Sequence, residues 1–274
     1  MIDKLYIARH GFRLNWINSI WKSPTGLPRD PPLTASGEVQ AEELKDYFLS
    51  LPEEERPTGI FSSPYYRCLQ TSQPLARALN IPIYIEHGIA EWYSPVTPGT
   101  GLHPRPGSSE SLLSLFPEVD AASWPTLLYP SRKGETIGQV HNRIDTFALA
   151  FLPALERRLP GEQHRRLLLV THAATAIALV RTFVGDRRLQ MRAGCCTLSV
   201  LERKRNVNSA LVIGGWKAQK ISYGDHLTGG VAREWGFEDV EVEEGRVVDD
   251  PGMPGSENEL DEPIGLQVQL MSNL

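Results

Sequence analysis

Leu167-Leu168-Leu169-Val170-Thr171-His172-Ala173 is the stretch that decides the fold. Its first five residues are apolar or β-branched, without the polar alternation of a strand that has one wet face. Such a run predicts a strand buried on both faces, at the centre of a parallel sheet. The run stops on His172, and the alanine-rich segment 173–184 follows at once as a predicted helix.

The same pattern repeats outward from that strand. Leu5 to Arg9 reads as a short buried strand ending on His10-Gly11. Residues 16–33 contain Pro24, Gly26, Pro28, Pro31 and Pro32, which predicts an irregular excursion. Thr34-Ala-Ser-Gly-Glu38 starts a helix whose apolar positions are Val39, Leu44, Tyr47, Phe48 and Leu51. Gly59 to Ser63 is a second strand, and Pro64 opens the helix that carries Arg67. Residues 82–86 form a third strand, leading to Glu91-Trp92. Residues 94–134, rich in Pro, Gly and Ser, are expected to form a long structured insertion over the site. A helix over 135–158 follows, and further strands are expected at 196–202 and 209–213. Strands alternating with helices predict an α/β fold: a three-layer α/β/α sandwich with a mostly parallel central sheet. Residues 1–235 are expected to be the folded body and 236–274 an acidic, flexible tail.

Charge supports that division. The formal net charge is -5, but residues 236–274 hold eleven acids and one base, Arg246, so that segment carries -10 and the rest +5. The tail reads either as a solvated segment or as a partner-binding one. Cys68, Cys195 and Cys196 form an odd set without metal-ligand spacing, which argues for a reducing compartment and against a disulfide framework or structural zinc. The short apolar run after Met1 lacks a basic flank, and no stretch reaches the apolar length of a membrane span. A cytoplasmic or nuclear location is expected, with no membrane partner. No aromatic-basic motif predicts direct nucleic-acid binding.

In open α/β sheets, ligands bind beyond the carboxyl ends of the strands. Arg9-His10, Arg67, Glu91 and His172 all fall at or just past predicted strand ends. An imidazole can attack phosphorus when one ring nitrogen is free and the other is oriented by a hydrogen bond. The guanidiniums of Arg9 and Arg13, flanking His10, can fork onto phosphoryl oxygens in a way lysine cannot. Taken singly, Arg67 reads equally well as a surface cation, and Glu91 as a loop carboxylate facing water. Their shared end of the sheet is what joins them.

The set resembles the histidine phosphatase superfamily, also called phosphoglycerate mutase-like. The resemblance covers roughly residues 4–220. It rests on Leu5-Tyr-Ile-Ala-Arg-His-Gly11, Leu33-Thr-Ala-Ser-Gly37, Ser62-Ser-Pro-Tyr-Tyr-Arg67, Glu91-Trp92, Gly134-Glu-Thr136 ahead of Arg143, and Val170-Thr-His172-Ala. It implies that His10 is the nucleophile, His172 the second pocket histidine, Arg9 and Arg67 phosphate holders, and Glu91 the proton donor. It also implies hydrolysis of phosphomonoesters through a phosphohistidine, with no metal or other cofactor. Arg13 resembles the acid-phosphatase side of the family, which favours hydrolysis over a mutase reaction. A narrower similarity is carried by His10-Gly-Phe-Arg-Leu-Asn-Trp16, Tyr65-Tyr-Arg-Cys-Leu-Gln70, Gly88-Ile-Ala-Glu-Trp-Tyr93 and Val170-Thr-His-Ala-Ala174. It is to the histidine-phosphatase domains of a fungal transcription factor IIIC subunit and their free-standing relatives. That implies, as an alternative role, a scaffold or assembly subunit whose acidic tail meets a transcription complex. The expected substrate is a phosphorylated small molecule or a phosphotyrosine-type group.

Overall fold

The computed structural model describes residues 2–159, 164–205, 211–240, 242–243, 246–247, 252–258, 260–261 and 263–267. In chain order its elements begin with β1 (Lys4–Arg9), α1 (Ala35–Ser50), β2 (Gly59–Ser62), α2 (Tyr66–Leu79) and β3 (Ile83–Ile85). Then come α3 (Ser109–Leu112), β4 (Val119–Asp120), β5 (Leu128–Tyr129), α4 (Ile137–Arg158), β6 (Arg166–Thr171) and α5 (Ala173–Val184). Strands β7 (Leu198–Arg203) and β8 (Trp216–Tyr223) complete the central sheet.

That sheet has seven strands in the order β4-β3-β2-β6-β1-β7-β8. The first five pair in parallel, while β7 runs antiparallel to β1 and β8 antiparallel to β7. The apolar run 167–171 is therefore the middle strand, as its composition predicts. Because side chains alternate across a strand, both faces must be covered. Leu5, Ile7, Phe61, Leu167 and Leu169 join the core under α4 and α5. Tyr6, Ala8, Ile60, Leu168 and Val170 join the core under α1 and α2. This is the expected three-layer sandwich.

Local chemistry sets the helix starts. The Thr34 hydroxyl caps α1 by accepting from the Gly37 amide at 3.0 Å, and its own amide donates to the Phe12 carbonyl at 2.8 Å. A Cβ at Gly37 would sit 2.2 Å from that carbonyl, so the turn after His10 can rest on α1 only where residue 37 lacks a side chain. Thr136 and Gln139 form a reciprocal cap on α4, so the helix starts at Ile137, two residues later than its expected onset.

One expectation needs correction. Of the strand expected over 209–213, residues 209 and 210 lie outside the described residues, and 211–213 are not a strand. The outer strand is instead β8, whose charged and polar alternation suits an edge with one face in water. The insertion 94–134 also contributes β4, which pairs with the far edge of the central sheet at β3. Parts of the segment 236–274 return to the body. Phe237 is buried against Trp92, Trp235 and His141. Asp261 accepts from Ser131 Oγ and the Arg132 amide, each at 2.7 Å. Gly265–Leu266 pairs antiparallel with β5.

Candidate active site

Register brings the two histidines together. In the parallel pair β1 and β6, Arg9 lies opposite Thr171, so His10 and His172 leave the sheet side by side. Their ring centroids are 5.3 Å apart, and each side chain is essentially buried. The next strand along, β2, ends with Ser62 opposite Val170, which places Ser63 and the start of α2 beside them.

His10 is held in one tautomer. Its Nδ1 lies 2.7 Å from the carbonyl of Gly11, which can only accept, so Nδ1 carries the proton and Nε2 keeps its lone pair. Burial, together with Arg67, His172, Arg9 and Arg13, pushes its pKa well below the usual imidazole value, and the ring is neutral at pH 7.

Three guanidiniums surround it. The Arg9 NH1 donates to the Ala193 carbonyl at 2.7 Å and also to the carbonyl of Arg233. Arg67, completely buried, reaches Asp30 Oδ1 at 3.3 Å, Glu91 Oε2 at 3.1 Å and His172 Nδ1 at 3.1 Å. Burial and the Arg67 and Arg9 charges lower the Arg13 pKa to about 10, so it stays charged at pH 7. Arg9, Arg13 and Arg67 each keep a buried Nε without a hydrogen-bond partner. Three orphaned cationic donors in one cluster are costly unless an anion completes them.

His172 takes its second contact from Ser63 Oγ, 2.8 Å from Nε2. Burial and Arg67 lower its pKa to about 4 against the opposing pull of Glu91. Glu91 Oε2 lies 3.2 Å from His172 Nδ1. Burial alone would raise its pKa, but His172, Arg67 and Arg13 hold the carboxyl far below the usual range, so it is ionised. His10, Glu91 and His172 present ligand atoms within 4.8 Å of one another, a spacing a cation could use. The Arg67 NH2 already occupies the gap between Glu91 and His172, and a dication there would face three guanidiniums. This donor set suits an anion.

All six residues singled out in the sequence thus converge, and Arg67 is a fully buried member of the cluster. Other contributors carried no assigned role. Asp30, completely buried, ties Arg67 to the Tyr66 amide at the start of α2. Its only signal is an acid set directly before Pro31-Pro32 in the irregular excursion. Ser63 lies within the quoted Ser62-Ser-Pro, where nothing marks it as the partner of His172. Glu135 and Arg143 form a buried pair, Arg143 Nε lying 2.8 Å and 3.0 Å from the two carboxylate oxygens. The Arg143 NH1 donates to the Gly88 carbonyl at 2.7 Å and the Ala90 carbonyl at 3.4 Å, gripping the turn that presents Glu91.

A family model described as the histidine phosphatase superfamily, branch 1, matches residues 5–214. The transcription factor tau 55 kDa subunit of Saccharomyces cerevisiae is 39% identical over 213 residues, covering 74% of this chain and 48% of that protein. The chain thus spans about half the length of that curated relative. Among solved structures, the ecdysone phosphate phosphatase from Bombix mori in complex with tungstate is similar with a TM-score of 0.59. Its identity is 17%, over 81% of this chain and 93% of that one. A mycobacterial glucosyl-3-phosphoglycerate phosphatase complexed with VO3 has a TM-score of 0.53 at 15% identity, over 81% of this chain and 99% of that one. The two structural likenesses agree on the fold, and the family match spans every residue of the cluster from Arg9 to His172. The chain belongs to the histidine phosphatase superfamily.

Proposed function

We propose that this chain hydrolyses phosphomonoesters through a phosphohistidine on His10, without a metal. The observation that carries the reading is the unprotonated Nε2 of His10 among three arginines whose buried Nε donors lack partners. The phosphoryl dianion docks on Arg9, Arg13, Arg67 and His172. Nε2 attacks phosphorus in line, the bond to the leaving oxygen breaks, and Glu91 delivers a proton to that oxygen. Water then attacks the phosphohistidine, Glu91 takes up its proton, and the N–P bond breaks to release phosphate. Preorganised positive charge around the loose transition state supplies most of the acceleration. The tungstate and VO3 complexes of the two similar phosphatases are consistent with an oxyanion in this place. Arg13 adds a third guanidinium and favours release of phosphate over return to a second hydroxyl. The substrate class is a phosphorylated small molecule or a phosphotyrosine-type group. The test is phosphate release from a panel of such compounds by wild type and His10→Ala, with and without chelator. Release that is lost in His10→Ala and indifferent to chelator is expected. Full activity in the variant would refute the assignment.

A second role is favoured by the 39% identity to the tau 55 kDa subunit. In this reading the chain, in the nucleus or cytoplasm, also joins a transcription complex through the acidic residues 236–274. Co-purification with transcription factor IIIC subunits should then be lost in a chain ended after Val240. Unchanged recovery would exclude residues 241–274 as the contact.

A further inference from the structure

The segment after β8 returns to the nucleophile from outside the stretch that the family model covers. Ala193 and Trp235 exchange backbone hydrogen bonds of 2.9 Å and 3.1 Å, and the Cys195 amide donates to the Ala232 carbonyl at 2.9 Å. Between these anchors Arg233 has a left-handed backbone, with φ of 53°. A non-glycine residue holds that conformation only where its surroundings impose it. The carbonyl of Arg233 accepts from the Arg9 guanidinium. Its own guanidinium lies over the Trp16 ring, 5.3 Å from the centroid, and 5.7 Å from that of Phe12.

Trp16 is the hinge of the argument. Its ring is stacked with His10 at 6.3 Å, and the guanidiniums of Arg9 and Arg13 stand 5.5 Å and 4.5 Å from its centre. Arg9 and Arg13 belong to the phosphoryl cluster. Arg233 is the third cation on the same indole, exposed to water, with no carboxylate partner among the described residues. An exposed cation placed one aromatic ring beyond the nucleophile, on a strained backbone that also fixes Arg9, is a candidate for contact with the rest of the substrate.

Resting on the phosphatase reading, we propose that Arg233 forms a second anion subsite. The preferred substrates are phosphomonoesters that carry another negative group about one aromatic ring away from the scissile phosphoryl. Trp16 packs against the part of the substrate that joins the two anions. The subsite takes a carboxylate or a second phosphoryl group by the same charge-assisted contact.

A matched pair of substrates tests this: 4-(carboxymethyl)phenyl phosphate and its neutral primary amide, whose leaving groups are nearly alike. A third arm, 4-(phosphonomethyl)phenyl phosphate, separates a carboxylate preference from a phosphoryl-like one. Wild type should favour the acid over the amide in kcat/KM by about threefold or more at low salt, the range of a partly solvated charge contact. The ratio should shrink as salt is raised. Arg233→Met should bring it to about one, Arg233→Glu should invert it, and Arg233→Lys should retain most of it; circular dichroism confirms that each variant is folded. Equal rates for acid and amide in wild type, or a preference that persists in Arg233→Met, would overturn the subsite. Hydrolysis of neither compound, nor of 4-nitrophenyl phosphate, would instead count against the phosphatase reading on which it rests.

Discussion

The Glu91 carboxylate bridges Arg67 and His172, at 3.1 Å and 3.2 Å. In the proposed mechanism it must hold a proton as general acid, yet the Arg67 and Arg13 charges keep it ionised. The two facts are reconciled by the substrate. A phosphoryl dianion that takes over Arg67, Arg13 and His172 removes the partners that stabilise the carboxylate and adds negative charge beside it, so its pKa rises. Below its pKa in the free protein and above its pKa in the complex, the group keeps one state; between them, binding takes up a proton. At pH 7, orthovanadate binding to wild type should therefore take up more protons than binding to Glu91→Gln, read by calorimetry in buffers of different ionisation enthalpy. The difference between the two proteins isolates Glu91 from the protons of the vanadate itself. Because the proton arrives equally well on a monoanionic ester, whose second pKa is about 6, kcat/KM should fall about tenfold per unit above that pH. Equal proton uptake by wild type and Glu91→Gln would separate Glu91 from the chemistry.

At the scale of elements, the turn bearing Glu91 is held by groups distant in sequence. The carbonyls of Gly88 and Ala90 accept from Arg143 of α4, that of Ile89 from the Thr171 hydroxyl at 2.6 Å, and that of Ala90 from Thr175 of α5 at 2.9 Å. Trp92 adds its indole N–H to the Glu135 carbonyl at 2.7 Å. Removing Arg143 leaves Glu135 as an unpaired buried carboxylate, so Arg143→Met should cost about 3 kcal/mol of stability. Replacing both members, as in Glu135→Leu with Arg143→Met, should recover much of that loss. The lost grip on the turn should still depress kcat by about ten- to a hundredfold, since a misplacement of an ångström suffices. Vanadate affinity, which the proposed mechanism assigns to the arginine cluster, should change far less. A double variant with normal kcat would reduce Arg143 to a purely structural part. Much of this scale could be foreseen: the helix over 173–184 matches α5 residue for residue, because its apolar run and Gly185 state both core and end. The grip of α4 on the turn could not, because Arg143 and Gly88 meet only after the chain crosses the sheet.

Across the whole molecule, the insertion and the acidic segment brace one another. Gly101 has φ of 128°, and a Cβ there would meet the Met253 carbonyl at 1.2 Å. Leu102 and Met253 form a backbone bridge, and Asp261 reaches Arg105 at 3.4 Å. The chain ended after Val240 should consequently expose residues 94–134 to limited proteolysis sooner than wild type does. Equal resistance would show that the insertion stands alone. Residues 94–134 hold three bases and three acids, so their charge does not foretell a contact with the acidic segment, and no periodicity marks which acid docks where. The alternation of strand and helix, the caps, and the histidines at strand ends were already determined by the order of residues, because each depends on neighbours within a few positions. Tertiary structure alone decided that Asp30 and Ser63 complete the cluster, that Glu91 sits between Arg67 and His172, and that Arg233 returns to Trp16. Those contacts join residues tens to hundreds of positions apart, and only sheet register and packing choose them.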